Sequence, residues 1–163
     1  MSTLPTRTGV DWNSLPKAAE ILSVPPYSAS LTLPNRPESV RPAVAFLLQT
    51  AKSLNIAEVT KPLFEVALTE AVTNAVKHGH GEKDNAVIVC EIERSPRLVV
   101  FRISDSGNGF VVPDPTLPAI DPAAVQALPE SGYGLPIIQT VFPGVRGTRV
   151  DGRFTLELAL PLA

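Results

Sequence analysis

The sequence lacks several features that mark particular classes of protein. Cys90 is the only cysteine, which excludes an internal disulfide and a metal site built from several cysteines. No apolar run is long enough to cross a membrane, and the N-terminus has no signal-peptide core, so we expect a cytoplasmic protein without a membrane partner. The basic residues do not cluster and the net charge is −2, which argues against nucleic acid as a partner.

Proline, in contrast, is abundant and unevenly placed. Most of the 17 prolines lie between positions 5 and 42 or between 113 and 143, and the stretch 63–103 holds only Pro96. Because proline interrupts helices and sheet interiors, the regular part of the chain should be central, with loops on both sides. A chain of 163 residues is long enough to form one domain with a buried core.

Residues 1–28 are predicted to be an N-terminal extension, and residues 29–163 the folded domain. The extension has no sustained hydrophobic period, and Pro25-Pro26 resists helix formation. Its apolar side chains could dock on the domain itself or on a partner; they include Trp12, Leu15, Ile21 and Leu22.

The periodicity of the remaining chain predicts alternating helices and strands. The last strand alternates apolar and polar residues, as a strand with one buried face does. We therefore expect an α/β two-layer sandwich with a mixed, mainly antiparallel sheet and helices on one face. The expected helices are 38–54, 60–78 with Thr60 as N-cap, and 135–141; the expected strands are 30–33, 86–93, 97–104, 145–150 and 153–160.

The second helix carries an ordered polar stripe. At about 100° per residue, Glu70, Asn74, Lys77 and His78 fall within one narrow sector. An ordinary solvated helix face is one interpretation, although small Thr and Ala residues surround these four. A magnesium–nucleotide site is the other: Asn74 offers a hard oxygen ligand, Glu70 can accept a proton, and Lys77 and His78 can offset phosphate charge.

Two glycine loops follow. In Asp105-Ser-Gly-Asn-Gly109 an acid at the end of a strand is followed by glycines, which allow a flat ligand to approach closely. The carboxylate of Asp105 could accept a hydrogen bond from the amino group of adenine. Ser131-Gly-Tyr-Gly134 leads into a helix whose N-terminus favours phosphate. Taken singly, the first loop is equally typical of a turn and the second of a linker.

In this order the three segments resemble the boxes of the GHKL ATPase superfamily. Glu70-Ala-Val-Thr-Asn74 with Lys77-His78 resembles the N box, Asp105 to Gly109 the G1 box, and Gly132-Tyr-Gly134 the G2 box. The pattern is similar to that of the anti-sigma-factor serine/threonine kinases, which carry a Glu four residues before the metal-binding Asn.

The resemblance implies roles for these residues, with ATP and Mg²⁺ as cofactors. Asn74 would bind Mg²⁺, Glu70 would be the general base toward a partner's serine, and Asp105 would bind the adenine amino group. The remaining ATP-binding positions implied are Lys77, His78, Gly107, Gly109, Gly132, Tyr133, Gly134 and Leu135. Implied partners are an anti-anti-sigma protein of the STAS fold, a sigma factor and a second copy of the chain.

Some features depart from the family pattern or leave alternatives open. The expected ATP lid, at about 111–131, holds five prolines. Gly147-Thr148 has the residues of the family's late Gly-Thr pair, which makes Thr148 a further candidate for ATP binding, but it falls in the first strand of the last hairpin. Arg41, near the start of the first helix, is either a partner contact or an ordinary solvated arginine.

Two other functions remain open from the sequence. The chain could be a module of the same fold that binds ATP or a partner without phosphoryl transfer, although Glu70 disfavours this. The catalytic domain of a histidine kinase agrees less well with the sequence. The only histidines, His78 and His80, both lie beside the N box.

Overall fold

The computed structural model describes residues 27–79, 85–112 and 134–162. The predictions for Gly132, Tyr133, most of the lid and most of the N-terminal extension lie outside these residues. In chain order the elements are β1 (Tyr27–Pro34), α1 (Val40–Ser53), α2 (Phe64–His78), β2 (Val87–Arg94), β3 (Leu98–Asp105), α3 (Gly134–Val141), β4 (Gly144–Val150) and β5 (Arg153–Pro161).

The five strands form one sheet in the order β1-β2-β3-β5-β4. Each neighbouring pair is antiparallel, so the described sheet has no parallel component. The last strand of the chain therefore lies between β3 and β4. Its register pairs Asp105 with Phe154 and Leu98 with Pro161.

The helices pack on one face of this sheet, which confirms the predicted two-layer sandwich. Alternate residues of β2, β3 and β5 point into a common core with the apolar faces of α1, α2 and α3. Three phenylalanines, Phe64, Phe101 and Phe142, meet in this core with ring centroids 5.6 to 5.9 Å apart. The large apolar area buried here is the main term that stabilises the fold.

The opposite side of the sheet, called the open face below, carries a polar network. Glu157 accepts hydrogen bonds from Arg102 and Arg146, both at 2.9 Å, and Arg102 also donates to Glu93 at 2.6 Å. Burial alone would lower the pKa of Arg102, but its hydrogen bonds to Glu93 and Glu157 outweigh burial and raise the pKa. Beside the network lies a small apolar cluster of Leu98, Val100 and Ala159.

The predicted start of the second helix is wrong. Thr60 ends a short 3₁₀ turn, Ala57–Thr60, and its hydroxyl donates back to the Ala57 carbonyl at 3.0 Å instead of capping a helix. Lys61 is extended, as residues before a proline prefer to be, and this interrupts the helix before Pro62. The α-helix begins only at Phe64.

Within the described ranges, no helix is both long and apolar enough to cross a membrane.

Candidate functional site

Helix α2 presents its polar stripe beside the core. Its buried face carries Ala67, Leu68, Ala71, Val72, Ala75 and Val76, which pack against the sheet and neighbouring helices. This packing fixes the rotation of the helix. Glu70 and Asn74 are consequently half-buried next to α3, while Lys77 and His78 are exposed in the last turn.

The first residue of α3 lies directly against that stripe. A Cβ atom added at Gly134 would lie 3.0 Å from Glu70 Oε2 and 3.5 Å from Asn74 Nδ2. Glu70 and Asn74 therefore share one small space, bounded by the N-terminus of α3. Helix N-termini offer free N–H groups and a positive dipole end, which favour anions.

The C-terminal end of α2 meets the loop after β3. A Cβ atom at Gly79 would lie 2.5 Å from Asp105 Cβ, and one at Gly107 would lie 2.8 Å from Gly79 Cα. No side chain fits in either place without a shift of the backbone. The two glycines thus bring the N-box-like helix and the G1-box-like loop into contact.

Asp105 is buried at this junction, with 3% of its surface exposed. Its Oδ1 accepts a hydrogen bond from the Gly107 N–H at 2.7 Å. Burial raises the pKa of Asp105, opposed in part by that hydrogen bond and by the charges of Arg153, His78 and Arg149. A carboxylate held this way can accept a hydrogen bond from a ligand amine.

Aromatic rings that sequence reasoning missed form the next part of the site. Phe110 packs against Phe154 with centroids 5.0 Å apart and against His78 at 6.1 Å. Phe154 lies beside Gly109, whose φ is +70°, and beside Gly147. The available signal was an aromatic residue directly after the glycine loop and another at the start of the last strand.

A cavity of about 330 Å³ lies between these elements. Its lining brings together four of the sequence-predicted residues with two that were not predicted: Asn74, His78, Gly134 and Leu135 with Phe110 and Val111. Helix α2, the loop after β3 and the start of α3 each contribute to it. The cavity has an amide and a helix N-terminus on one side and an aromatic ring on another, a combination that suits a nucleotide.

Other predicted residues lie elsewhere. Lys77 is exposed and is absent from the residues that line this cavity. Thr148 pairs with Thr155 in the sheet, and the Thr155 hydroxyl is bonded to Ser104 at 2.7 Å on the open face, so the register places Thr148 on the side away from α2. Arg41 is exposed and lines a groove of about 470 Å³ between α1 and α2.

The donors at the stripe suit a magnesium ion that is held largely by its nucleotide. The described residues contain no cluster of three or more His, Cys, Asp or Glu side chains that could hold a metal unaided. Mg²⁺ in nucleotide sites takes one or two protein oxygens and completes its shell with phosphates and water. The Asn74 amide oxygen, beside Gly134, can supply such a protein ligand.

Comparison with known proteins agrees with this architecture. The model of the histidine kinase-like ATPase domain family matches residues 33–159. Anti-sigma F factors from two Clostridium botulinum strains, Eklund 17B (Type B) and Alaska E43 (Type E3), are 30% and 29% identical over 96 residues, which is 53% of this chain. The match spans 64% of each relative, less than two thirds of its length.

A solved structure shares the fold. The crystal structure of the RsbU and RsbW domains of a Mycobacterium tuberculosis protein superposes with a TM-score of 0.52 at 17% identity, covering 82% of this chain and 32% of that one. The family model matches most of the chain, and the half-buried Glu70 and Asn74 face Gly134. This protein therefore belongs to the histidine kinase-like ATPase domain family, within the GHKL superfamily.

Proposed function

We propose that the chain is an ATP-dependent protein-serine kinase that acts as an anti-sigma factor. In this proposal it phosphorylates a serine on a STAS-type anti-anti-sigma protein and binds a sigma factor in the alternative state. The observation that carries it is the placement of Glu70 and Asn74, one helical turn apart, against Gly134 at the N-terminus of α3. A carboxylate that can accept a proton and an amide oxygen that can hold Mg²⁺ are groups that phosphoryl transfer to a hydroxyl uses.

Asn74 would hold Mg²⁺ through its amide oxygen. When bound, this ion neutralises phosphate charge during transfer. The half-buried carboxylate of Glu70 would accept the proton of the attacking serine hydroxyl. The N–H groups at the start of α3 would bind phosphate oxygens, since they have no partner within the helix.

Asp105 would hold the base at the other end of the site. Its carboxylate is buried and accepts one hydrogen bond from Gly107, so a second oxygen remains for an adenine amino group. Phe154, which pairs with Asp105 in the sheet, packs against Phe110, and these rings would offer the base an apolar surface. These contacts would select the nucleotide without taking part in transfer.

The relatives from Clostridium botulinum are named anti-sigma F factors, and a sigma factor is accordingly the proposed partner of this chain. The groove between α1 and α2, where Arg41 lies beside Val44 and Leu48, is an exposed place for such a contact. A homodimer is proposed from the family resemblance alone.

The decisive experiment compares Glu70→Gln with the wild-type chain and with Glu65→Gln. Glu65 is an exposed glutamate in the first turn of the same helix, which makes it a matched control. Binding of Mg-ATP is measured by calorimetry, and transfer is measured with radiolabelled ATP and the STAS protein that co-purifies from the native cell. Asn74→Ala is measured in parallel.

We expect Glu70→Gln to bind Mg-ATP normally and to lose about 10²- to 10⁴-fold in transfer rate, the usual contribution of a general base. Asn74→Ala should lose magnesium-dependent binding as well as transfer, and Glu65→Gln should match the wild type. The labelled product should survive acid, as phosphoserine does and phosphohistidine does not. ATP binding without transfer by the wild type to any STAS protein would favour a non-catalytic module. Full transfer by Glu70→Gln would exclude Glu70 as the base.

A further inference from the structure

Two arginines of the β4–β5 hairpin contact the loop that follows β3. Arg149, near the end of β4, donates a hydrogen bond to the carbonyl oxygen of Asn108. Arg153, the first residue of β5, reaches the hydroxyl of Ser106 at 3.4 Å. Residues 106–108 come directly after Asp105 in the chain. Both arginines therefore hold the loop that begins at the candidate adenine-binding carboxylate.

The two arginines approach this loop from opposite faces of the sheet. Arg149 pairs with Phe154, which packs in the main core, so the Arg149 side chain leaves the sheet on the side of the helices. Arg153 precedes Phe154 in β5 and consequently points to the open face. There its guanidinium reaches the carbonyl oxygens of Ser104 at 3.3 Å and Val87 at 3.4 Å. One side chain thus extends from β5 across the end of β3 to the start of β2.

The chemistry of arginine suits such a contact. Each of the three contacts of Arg153 is long for a hydrogen bond, but a guanidinium is planar and carries five donors in a fixed arrangement, so one group can serve several acceptors. Among the described residues, neither Arg149 nor Arg153 forms an ion pair with a carboxylate. Their positive charges are therefore not neutralised by a close acidic partner in that part of the chain.

These charges act on Asp105. Burial raises the pKa of Asp105, and the hydrogen bond from Gly107 opposes this effect. The positive charges of Arg153, His78 and Arg149 oppose it as well, Arg153 most strongly of the three. Arginine keeps its charge at every physiological pH. The two arginines consequently favour the ionised form of a carboxyl group that burial alone would make neutral.

The charge state of this carboxyl group decides which base it can bind. Adenine carries an amino group, a donor, where guanine carries a carbonyl oxygen, an acceptor. An ionised carboxylate accepts from the amino group and has no proton to offer the carbonyl oxygen, whereas a protonated carboxyl group can donate to it. An Asp105 that stays ionised therefore favours adenine over guanine.

We propose that Arg149 and Arg153 clamp residues 106–108 from the two faces of the sheet, and that this clamp lets Asp105 select adenine over guanine. Both are positioning residues, because they act through the loop and Asp105 and do not contact the nucleotide. The proposal rests on the role of Asp105 in the proposed function. It concerns nucleotide binding and does not depend on phosphoryl transfer.

The test compares the affinities for Mg-ATP and Mg-GTP by calorimetry at a series of pH values, from acid to slightly alkaline. Arg153→Met, Arg153→Lys and Arg149→Met are measured beside the wild-type chain. Arg97→Met is the matched control, because Arg97 is an exposed arginine at the opposite end of β3. The ratio of the two affinities cancels the titration of the phosphates, which both nucleotides share. Circular dichroism shows first that each variant is folded.

We expect Arg153→Met to bind ATP about tenfold more weakly, since even one hydrogen bond to a charged group contributes that much. Its preference for ATP over GTP should also be lost at a higher pH than in the wild type, because Asp105 takes up a proton more readily. Arg149→Met should change both in the same direction. Arg153→Lys should bind both nucleotides more weakly but keep the wild-type pH dependence, since lysine supplies the charge without the planar fork. Arg97→Met should match the wild type.

An ATP-to-GTP ratio that equals the wild-type ratio at every pH in both methionine variants would overturn the proposal. Arginines that only stabilise the fold would weaken the binding of both nucleotides equally and leave that ratio unchanged. If Arg153→Met does not fold, Arg149→Met and Arg153→Lys decide by the same criterion.

Asp105→Asn distinguishes a failure of the clamp from a failure of the proposed function. This variant should lose the preference for ATP, because an amide can donate to the guanine carbonyl. If it keeps the wild-type ratio, Asp105 does not hold the base, and the clamp proposal fails with that role. If Asp105→Asn lowers the ratio and the arginine variants do not, the clamp alone is wrong. A chain that shows the expected ratios but transfers no phosphoryl group would contradict the kinase proposal and support the clamp.

Discussion

Gly79 and Gly107 lie in contact across the junction of α2 with the loop after β3, so close that a Cβ atom at Gly107 would be 2.8 Å from Gly79 Cα. Neither position requires glycine for its φ angle, because both lack the positive φ found at Gly109 and Gly152. The requirement is one of space. The end of the N-box-like helix and the G1-box-like loop fit together only where both side chains are absent.

Gly107→Ala should therefore separate these two elements. We expect a loss of roughly 1–3 kcal/mol in unfolding free energy, the usual cost of forcing an extra carbon into a packed interior. Weaker ATP binding should accompany it, because Asp105 moves with the loop. Urea denaturation and calorimetry measure the two effects.

Gly152→Ala is the matched control for this change. Gly152 has φ +75° in the β4–β5 turn and open space around it, so alanine costs about 1 kcal/mol of backbone strain without a clash. Its ATP affinity should stay at the wild-type value. If Gly107→Ala keeps full ATP affinity, the glycine contact serves stability alone.

Asp105→Asn should stabilise the fold and weaken nucleotide binding. Because the folded-state pKa of Asp105 is raised, the favourable contribution of this group is complete below its unfolded pKa of about 3.9 and is lost as pH rises through the folded pKa. At neutral pH the ionised carboxylate therefore opposes folding. Asparagine removes that charge and can still accept the Gly107 hydrogen bond.

Thermal unfolding from pH 3 to pH 8, pH values chosen to bracket the titration, would measure this difference. The midpoint of Asp105→Asn should exceed that of the wild type near neutrality and approach it at acid pH. Asp151→Asn, in the exposed hairpin turn, should change neither stability nor affinity. A variant less stable than the wild type at neutral pH would contradict the dominance of burial at Asp105.

Glu157→Gln should destabilise the sheet more than Glu93→Gln. The Glu157 side chain is 7% exposed and accepts hydrogen bonds from both Arg102 and Arg146, whereas that of Glu93 is 35% exposed with one such bond. We expect a loss of about 2 kcal/mol for Glu157→Gln, as for hydrogen bonds between charged groups. The more exposed pair should contribute less than about 1 kcal/mol. Equal losses of unfolding free energy in denaturant titrations would show that the exposure of these two carboxylates does not determine how much each contributes to stability.

Cys90 should be unreactive until the protein unfolds. It is fully buried on the helix side of β2, and burial raises the pKa of its thiol to about 12, with a smaller effect from Glu91. Since the thiolate is the reactive form, labelling at neutral pH requires opening of the sheet. The labelling rate should follow the unfolding free energy across the variants above. Rapid labelling of the folded chain would contradict the packing of β2.

Hydrophobic periodicity predicted the elements of this fold well, because each strand and helix buries one regular face. The bounds of β2, β3 and α3 agree with the sequence prediction within one residue. The start of α2 was wrong, since the preference of Lys61 for an extended conformation before Pro62 outweighed the capping signal at Thr60.

The candidate site was predicted only in part, for a physical reason. Glu70 and Asn74 share a helix, so their spacing alone places them together. The contributions of Phe110 and Phe154 depend on the pairing of β3 with β5, which joins residues about fifty positions apart. No local pattern indicates that pairing.

The position of β5 between β3 and β4 has a consequence for the protein while it is being synthesised. Asp105 gains its strand partner Phe154 only when β5 pairs between β3 and β4. A nascent chain that has emerged only as far as α3 holds Glu70, Asn74 and Gly134 but not that neighbour. Such non-local strand pairing is slow to form, so we expect the surroundings of Asp105 to be complete only after β5 has been synthesised and has paired with β3.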